Sequence, residues 1–242
     1  MLKKIIRLNL DDLWLACGAV AAVFLLLEGI IGGVLWFTDT NSCPMVAGTL
    51  LPFVSAFLIV CFSVSHINVT FQQAIRFGQT RRRSLGLYLG LVGFEGLCSM
   101  ATALVLSLAE QFLAPTLWLK LTGLSNLAWG TDGSMVPEGM EPTADQTSTL
   151  FVEGFTLDWY WWVVLSLGAV ALGTIVGTLY LRFGRKAAWI SWGVWMAICF
   201  LPQLLPESVL AQLPRMLPLA AVAAVAGLVW SVWHMLHCVV RN

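Results

Sequence analysis

The chain has 242 residues, of which 59% are hydrophobic and 11% charged, and its mean hydropathy is +0.84. So little polar surface cannot solvate a globule of this length, which places the chain in a membrane. The formal net charge is zero, so the charge balance gives no argument for nucleic acid or for an acidic partner.

Six runs approach the roughly 20 apolar residues that a helix needs to cross the hydrocarbon. They are Leu13 to Thr38, Met45 to Ser65, Ser84 to Leu113, Trp159 to Leu181, Ala187 to Leu201 and Met216 to Cys238. The fifth is the shortest, because Pro202 and Pro206 interrupt it. The runs are apolar on every side rather than alternating, which excludes barrel strands and predicts an all-α integral membrane protein of six transmembrane helices. The first run is too long for a signal-peptide core and lacks a small-residue cleavage pattern, so it reads as a permanent span. Cys17, Cys61, Cys98, Cys199 and Cys238 fall inside spans and only Cys43 in a loop, so neither a disulfide framework nor a zinc pattern is available.

Eleven of the thirteen basic residues lie on one side of this arrangement: Lys3, Lys4 and Arg7, then Arg76 and Arg81 to Arg83, then Arg182, Arg185 and Lys186, and finally Arg241. The positive-inside rule therefore puts both termini, the 66–83 connection and the turn after span four in the cytoplasm. The opposite side is acidic. Residues 114–158 read as a long extracytoplasmic loop with Asp132, Glu138, Glu141, Asp145, Glu153 and Asp158 against Lys120 alone. Trp159 to Trp162 fit an aromatic belt where span four begins. The segment 202–215, bracketed by prolines, reads as a short amphipathic element at the outer surface.

Catalytic signatures are missing: there is no His-Glu-x-x-His, no Gly-x-Ser-x-Gly and no glycine-rich nucleotide loop. "HMLHC" places His234, His237 and Cys238 close together, but three donors without a fourth are a weak zinc set, and interfacial packing is the better reading. No metal site is therefore expected. The Asn68-Val69-Thr70 sequon lies on the cytoplasmic side, where it is a chance match. No internal repeat of the kind found in inverted-repeat transporters is present.

Two acids lie deep in the spans. Counting at about 1.5 Å per residue, Glu28 and Glu95 come to lie roughly 22 and 16 Å from the inner ends. An ionised carboxylate at such depth costs about 3 kcal/mol or more, which calls for a proton, a partner or a wet cavity. In span three, Tyr88, Glu95, Ser99 and Thr102 share one helix face, and Gly86, Gly90, Gly93 and Ala101 share the opposite one. The glycine face is expected to pack closely, and the polar face, with Glu28, to line a translocation path. Small residues four apart recur at Gly18 and Ala22, Gly29 and Gly33, and Gly173 and Gly177.

The cytoplasmic stretch "AIRFGQTRRRSLGLYLG" resembles the coupling-helix region of exporter-type (type-2 class) bacterial ABC transporter permeases, six-span subunits of the cytoplasmic membrane. Phe77, Gly78, Thr80, Arg81 and Arg82 match the family's pattern. "MLKKIIRLNLDDLWL" is similar to the amphipathic connecting helix with which such permeases begin, here residues 1–12. "GTLYLRFGRKAAW" looks like the second cytoplasmic contact with the ATPase. The resemblance implies coupling through Ile75, Phe77, Gly78, Thr80, Arg81, Arg82, Arg182 and Arg185 to a separate ATPase subunit, which would bind ATP and magnesium. It also implies a second permease chain and contact with membrane lipid, with no cofactor and no catalysis in this chain. The acidic outer loop departs from the family's pattern. Two other readings fit the same residues: a non-transporting membrane protein that serves assembly, immunity or sensing, and the substrate-binding membrane subunit of a vitamin importer.

Overall fold

The computed structural model describes residues 10–38, 42–130, 149–154, 157–204 and 213–237. The protein is mostly helical. The helices are α1 (Leu10–Phe37), α2 (Ala47–Arg76), α3 (Arg81–Thr122), α4 (Trp159–Phe183), α5 (Arg185–Leu204) and α6 (Leu213–His237). In hydrocarbon a backbone has no solvent to bond to, so apolar runs of this length satisfy their peptide groups within one helix. Four helices, α1 to α4, are long and apolar enough to cross a membrane, and α6 carries a shorter apolar stretch, Ala221–His237.

Several boundaries differ from expectation. Span three does not stop at Leu113. It runs on through Pro115 to Thr122 and ends where Gly123 takes a left-handed φ of +71° and donates its amide to the Leu119 carbonyl. Helix α2 continues past His66 through a π-helical turn, Ile67–Phe71, so the 66–83 connection is mostly helix. Helix α5 reaches Leu204 with Pro202 inside it. Of the expected amphipathic elements, residues 1–9 and 205–212 lie outside the described residues, and Leu10 to Asp12 already belong to α1.

The chain is not purely α-helical. Strands β1 (Ser42–Met45), β2 (Asn126–Gly130) and β3 (Thr149–Gly154) form a parallel sheet in the order β1-β3-β2. Two of its strands come from the segment expected to be a loop. The runs are only four to six residues long, too short for a periodic signal to stand out against apolar helices. Pro44 is accommodated because β1 is an edge strand, where a missing N–H costs least.

Two compact units make up the chain. The first contains Met1–Ala56 and Glu95–Leu165. Its core gathers Leu35 of α1, Cys43 and Met45 of β1, Ala114 and Trp118 of α3, and Leu150 and Val152 of β3. One face of the sheet is thus buried on two helices. The second unit contains Phe57–Phe94 and Ser166–Asn242. There α4 meets α2 through small residues: a Cβ built on Gly173 would lie 2.5 Å from the Ser63 Cβ, and one on Gly177 2.7 Å from Ile67 Cδ1. Only glycine allows so close a crossing, as the spacing of Gly173 and Gly177 predicts.

Candidate functional site

Among the described residues, three places collect polar chemistry. In the turn between α2 and α3, α2 ends in a Schellman motif. The Gly78 amide donates to the Ile75 carbonyl and the Gln79 amide to the Ala74 carbonyl, at 2.9 and 3.0 Å, and Gly78 adopts φ +79°. The Thr80 carbonyl then accepts the Ser84 amide at 2.9 Å and opens the first turn of α3. The turn thrusts out Phe77, which is 85% exposed, beside exposed Arg76, Arg82 and Arg83, with Ile75 half-buried behind it. Arg81 has a partner of its own: Nη1 donates to the Leu236 carbonyl at 2.9 Å, setting a cation at the C-terminal end of α6. Arg182 lies 5.7 Å from the Trp230 ring, and Arg185 is exposed at the start of α5. His234 stacks on Trp230 at 5.5 Å and His237 lies against Trp233 at 4.9 Å, the packing role expected of "HMLHC"; Cys238 lies outside the described residues.

The second place is the polar face of α3. Tyr88, Glu95 and Ser99 are all buried. Within the second unit, the Tyr88 hydroxyl lies 2.8 Å from Thr174 Oγ1. Within the first, Ser55 Oγ donates to the Ser99 carbonyl at 3.3 Å, and a carboxylate oxygen of Glu95 lies within 4.8 Å of one of Asp12. Thr102 turns back on its own helix and donates to the Cys98 carbonyl. This face is packed. The opposite face, with Gly86, Gly90 and Gly93, is open, since nothing lies within 4 Å of a Cβ placed at any of the three. Among the described residues, the polar face of α3 is thus the more closely packed of the two.

The third place joins groups that the sequence alone does not connect. Glu110 of α3 is buried, and its carboxylate accepts the amides of Val46 and Ala47, each at 3.1 Å, at the N-terminus of α2. Such an anion satisfies orphan N–H groups and the helix dipole together. Glu28 of α1 lies beside Glu110 and the indole of Trp118. Glu28 is therefore held at this cluster. Asp12, the neighbour of Glu95, lies sixteen residues away along α1, roughly 24 Å. Cys43 of β1 completes the group. Burial, then the charges of Glu28 and Glu110, push its thiol from 9.0 to about 12. Glu110 could have been singled out: with Glu95 it is the only charged residue between Arg83 and Lys120.

No known protein family, curated protein or solved structure matches the chain.

Proposed function

We propose that this chain is the membrane-spanning permease subunit of an ATP-driven exporter in a bacterial cytoplasmic membrane, coupled at its cytoplasmic turn to a separate ATPase subunit. The observation that carries the reading is the Schellman turn at Phe77–Gly78: a large aromatic side chain held out in the open by a backbone angle that favours glycine, flanked by exposed arginines. An exposed Phe on a rigid tip is suited to fill an apolar groove of a partner, and the arginines are suited to meet acidic groups or lipid phosphates around it.

A six-span count with cytoplasmic termini fits the second unit. Arg182 at the end of α4 meets Trp230, and Arg81 meets Leu236, so the end of α4, the start of α3 and the end of α6 lie together. Helix α6 is 25 residues, roughly 37 Å, long, so its start lies far from that end. Helix α5 begins two residues after α4 and is the element that must make the return crossing. The bare Gly86, Gly90 and Gly93 face supports pairing with a second permease chain.

The test is purification from the native host. The wild-type chain should carry with it magnesium-dependent ATP hydrolysis. Phe77→Ala should weaken that association by about 2 kcal/mol or more, roughly thirtyfold, and Gly78→Val should act similarly, both without altering insertion. Absence of any co-purifying ATPase with the wild type would sink the reading. So would full association and coupling in both variants.

A further inference from the structure

The turn from α4 to α5 carries positive charge that the second unit does not answer. Arg182, Arg185 and Lys186 lie within five residues and are all exposed, and Gly184 between them takes a left-handed φ of +56°. The described residues of that unit include no Asp or Glu, and no ion pair engages any of the three cations among the described residues. Arg182 is steadied by an aromatic ring, its guanidinium standing 5.7 Å from Trp230, and in that position it can still offer its N–H fork to a phosphate. Helix α4 has 25 residues, roughly 37 Å, and exceeds the thickness of the hydrocarbon, which sets its Arg182 end at headgroup level. Helix α5 then sorts one face. At about 100° per residue, Arg185, Trp189 and Trp192 fall within roughly 60° of one another. Trp189 is 74% and Trp192 55% exposed, and their rings meet edge to face at 6.1 Å. A cation at the start of a helix face, with two indoles continuing it over roughly 10 Å, complements a molecule that is anionic at one end and apolar beyond.

We infer that the α4–α5 turn is a binding site for one anionic phospholipid, its phosphate held by Arg182, Arg185 and Lys186 and the upper part of an acyl chain laid along Trp189 and Trp192. An acidic protein surface would answer the charge but not the indoles, which lead away from the turn along α5, and a free phosphate would leave them bare. A second copy of this chain would bring cation against cation. The inference does not rest on the exporter reading, whose contact is the turn at Phe77.

Full-length chain purified in detergent and titrated with phosphatidylglycerol should hold one lipid tightly in native mass spectrometry, with phosphatidylcholine bound at least about tenfold more weakly. Arg185→Gln with Lys186→Gln should weaken the phosphatidylglycerol adduct at least about tenfold. Arg185→Lys with Lys186→Arg, which keeps both charges, should retain it. Trp189→Ala with Trp192→Ala changes no charge and should weaken it at least about fivefold, with thermal melting unchanged as in the other variants. Arg76→Gln with Arg82→Gln removes two charges from the turn before α3 and should weaken it less than about threefold. Equal binding of the two lipids by the wild type overturns the inference outright. An unchanged adduct in the indole variant, or its displacement by glycerol phosphate, assigns the cations to a soluble anion instead. Equal loss in the Arg76 and Arg82 variant reduces the site to diffuse charge. An acidic protein that co-purifies through Arg185 and Lys186 while the wild type shows no lipid preference would give the turn to that partner.

Discussion

Both carboxylate oxygens of Glu110 lie 3.1 Å from the amide nitrogen of Ala47, although 63 residues separate the two in sequence. One side chain from the middle of a long helix therefore begins another. Glu110→Ala should strand the amides of Val46 and Ala47 in a buried site and cost about 2 to 3 kcal/mol, read as a lower melting temperature of the purified protein. Glu28→Gln should cost much less, because its amide can still donate to Glu110. Equal losses in the two variants would show that the contact between the two side chains matters as much as the cap.

Cys43 gives a chemical readout of the same region. Its thiol is held neutral up to about pH 12, so in a variant that keeps only this cysteine, maleimide labelling of the folded protein should be slow at about pH 9 and should go on rising about tenfold per pH unit above it. An ordinary thiol would label far faster at about pH 9 and level off soon above it. Between 9.0 and about 12 the folded state keeps a proton that the unfolded state has released, so Cys43's contribution to stability declines as pH rises through that window. Cys43→Ala should remove this alkaline loss.

Glycines of similar appearance in the sequence should behave in opposite ways. Gly173→Ala would drive a methyl group to 2.5 Å from the Ser63 Cβ and 3.1 Å from the Val60 Cα, and should cost about 1 to 3 kcal/mol. Gly90→Ala meets nothing within 4 Å and should leave monomer stability unchanged or slightly raised. If two chains pair through that face, Gly90→Ala should lower the dimer fraction in crosslinking while the melt stays the same.

Tyr88→Phe removes one hydroxyl from a buried pair. Thr174 keeps its own bond to the Val170 carbonyl at 2.7 Å, so the loss should be about 0.5 to 1.5 kcal/mol with no separate effect on transport. A transport defect without a stability defect would return Tyr88 to a pathway.

The long apolar elements were legible because lipid enforces one rule on every residue in them: bond your own backbone. The turn at Phe77 and Gly78 was legible because a left-handed residue has few candidates. Glu28, Gly173 and Gly177 announced themselves by type, an acid in an apolar run or small residues a helical turn apart. The direction of the α3 faces could not be read, since helical periodicity separates Tyr88 and Glu95 from Gly90 but does not say which set meets a neighbour. The sheet escaped notice for a different reason. Its strands are brief, and their pairing is set by residues as far apart as Ser42 and Phe151. Glu110 went unremarked because its partners are main-chain amides, which carry no residue signature.

The π-helical turn at Ile67–Phe71 sets a phase. A π turn holds one more residue than the α-helical turn it replaces, so everything after it is rotated by about 100° relative to an uninterrupted helix. Ser63 and Ile67, which receive α4, lie before or at the start of this offset, and Phe77 follows it. The compass bearing of the exposed aromatic is thus set independently of how the helix is seated, and deleting a single residue there would swing the tip to a new azimuth while leaving the crossing with α4 in place.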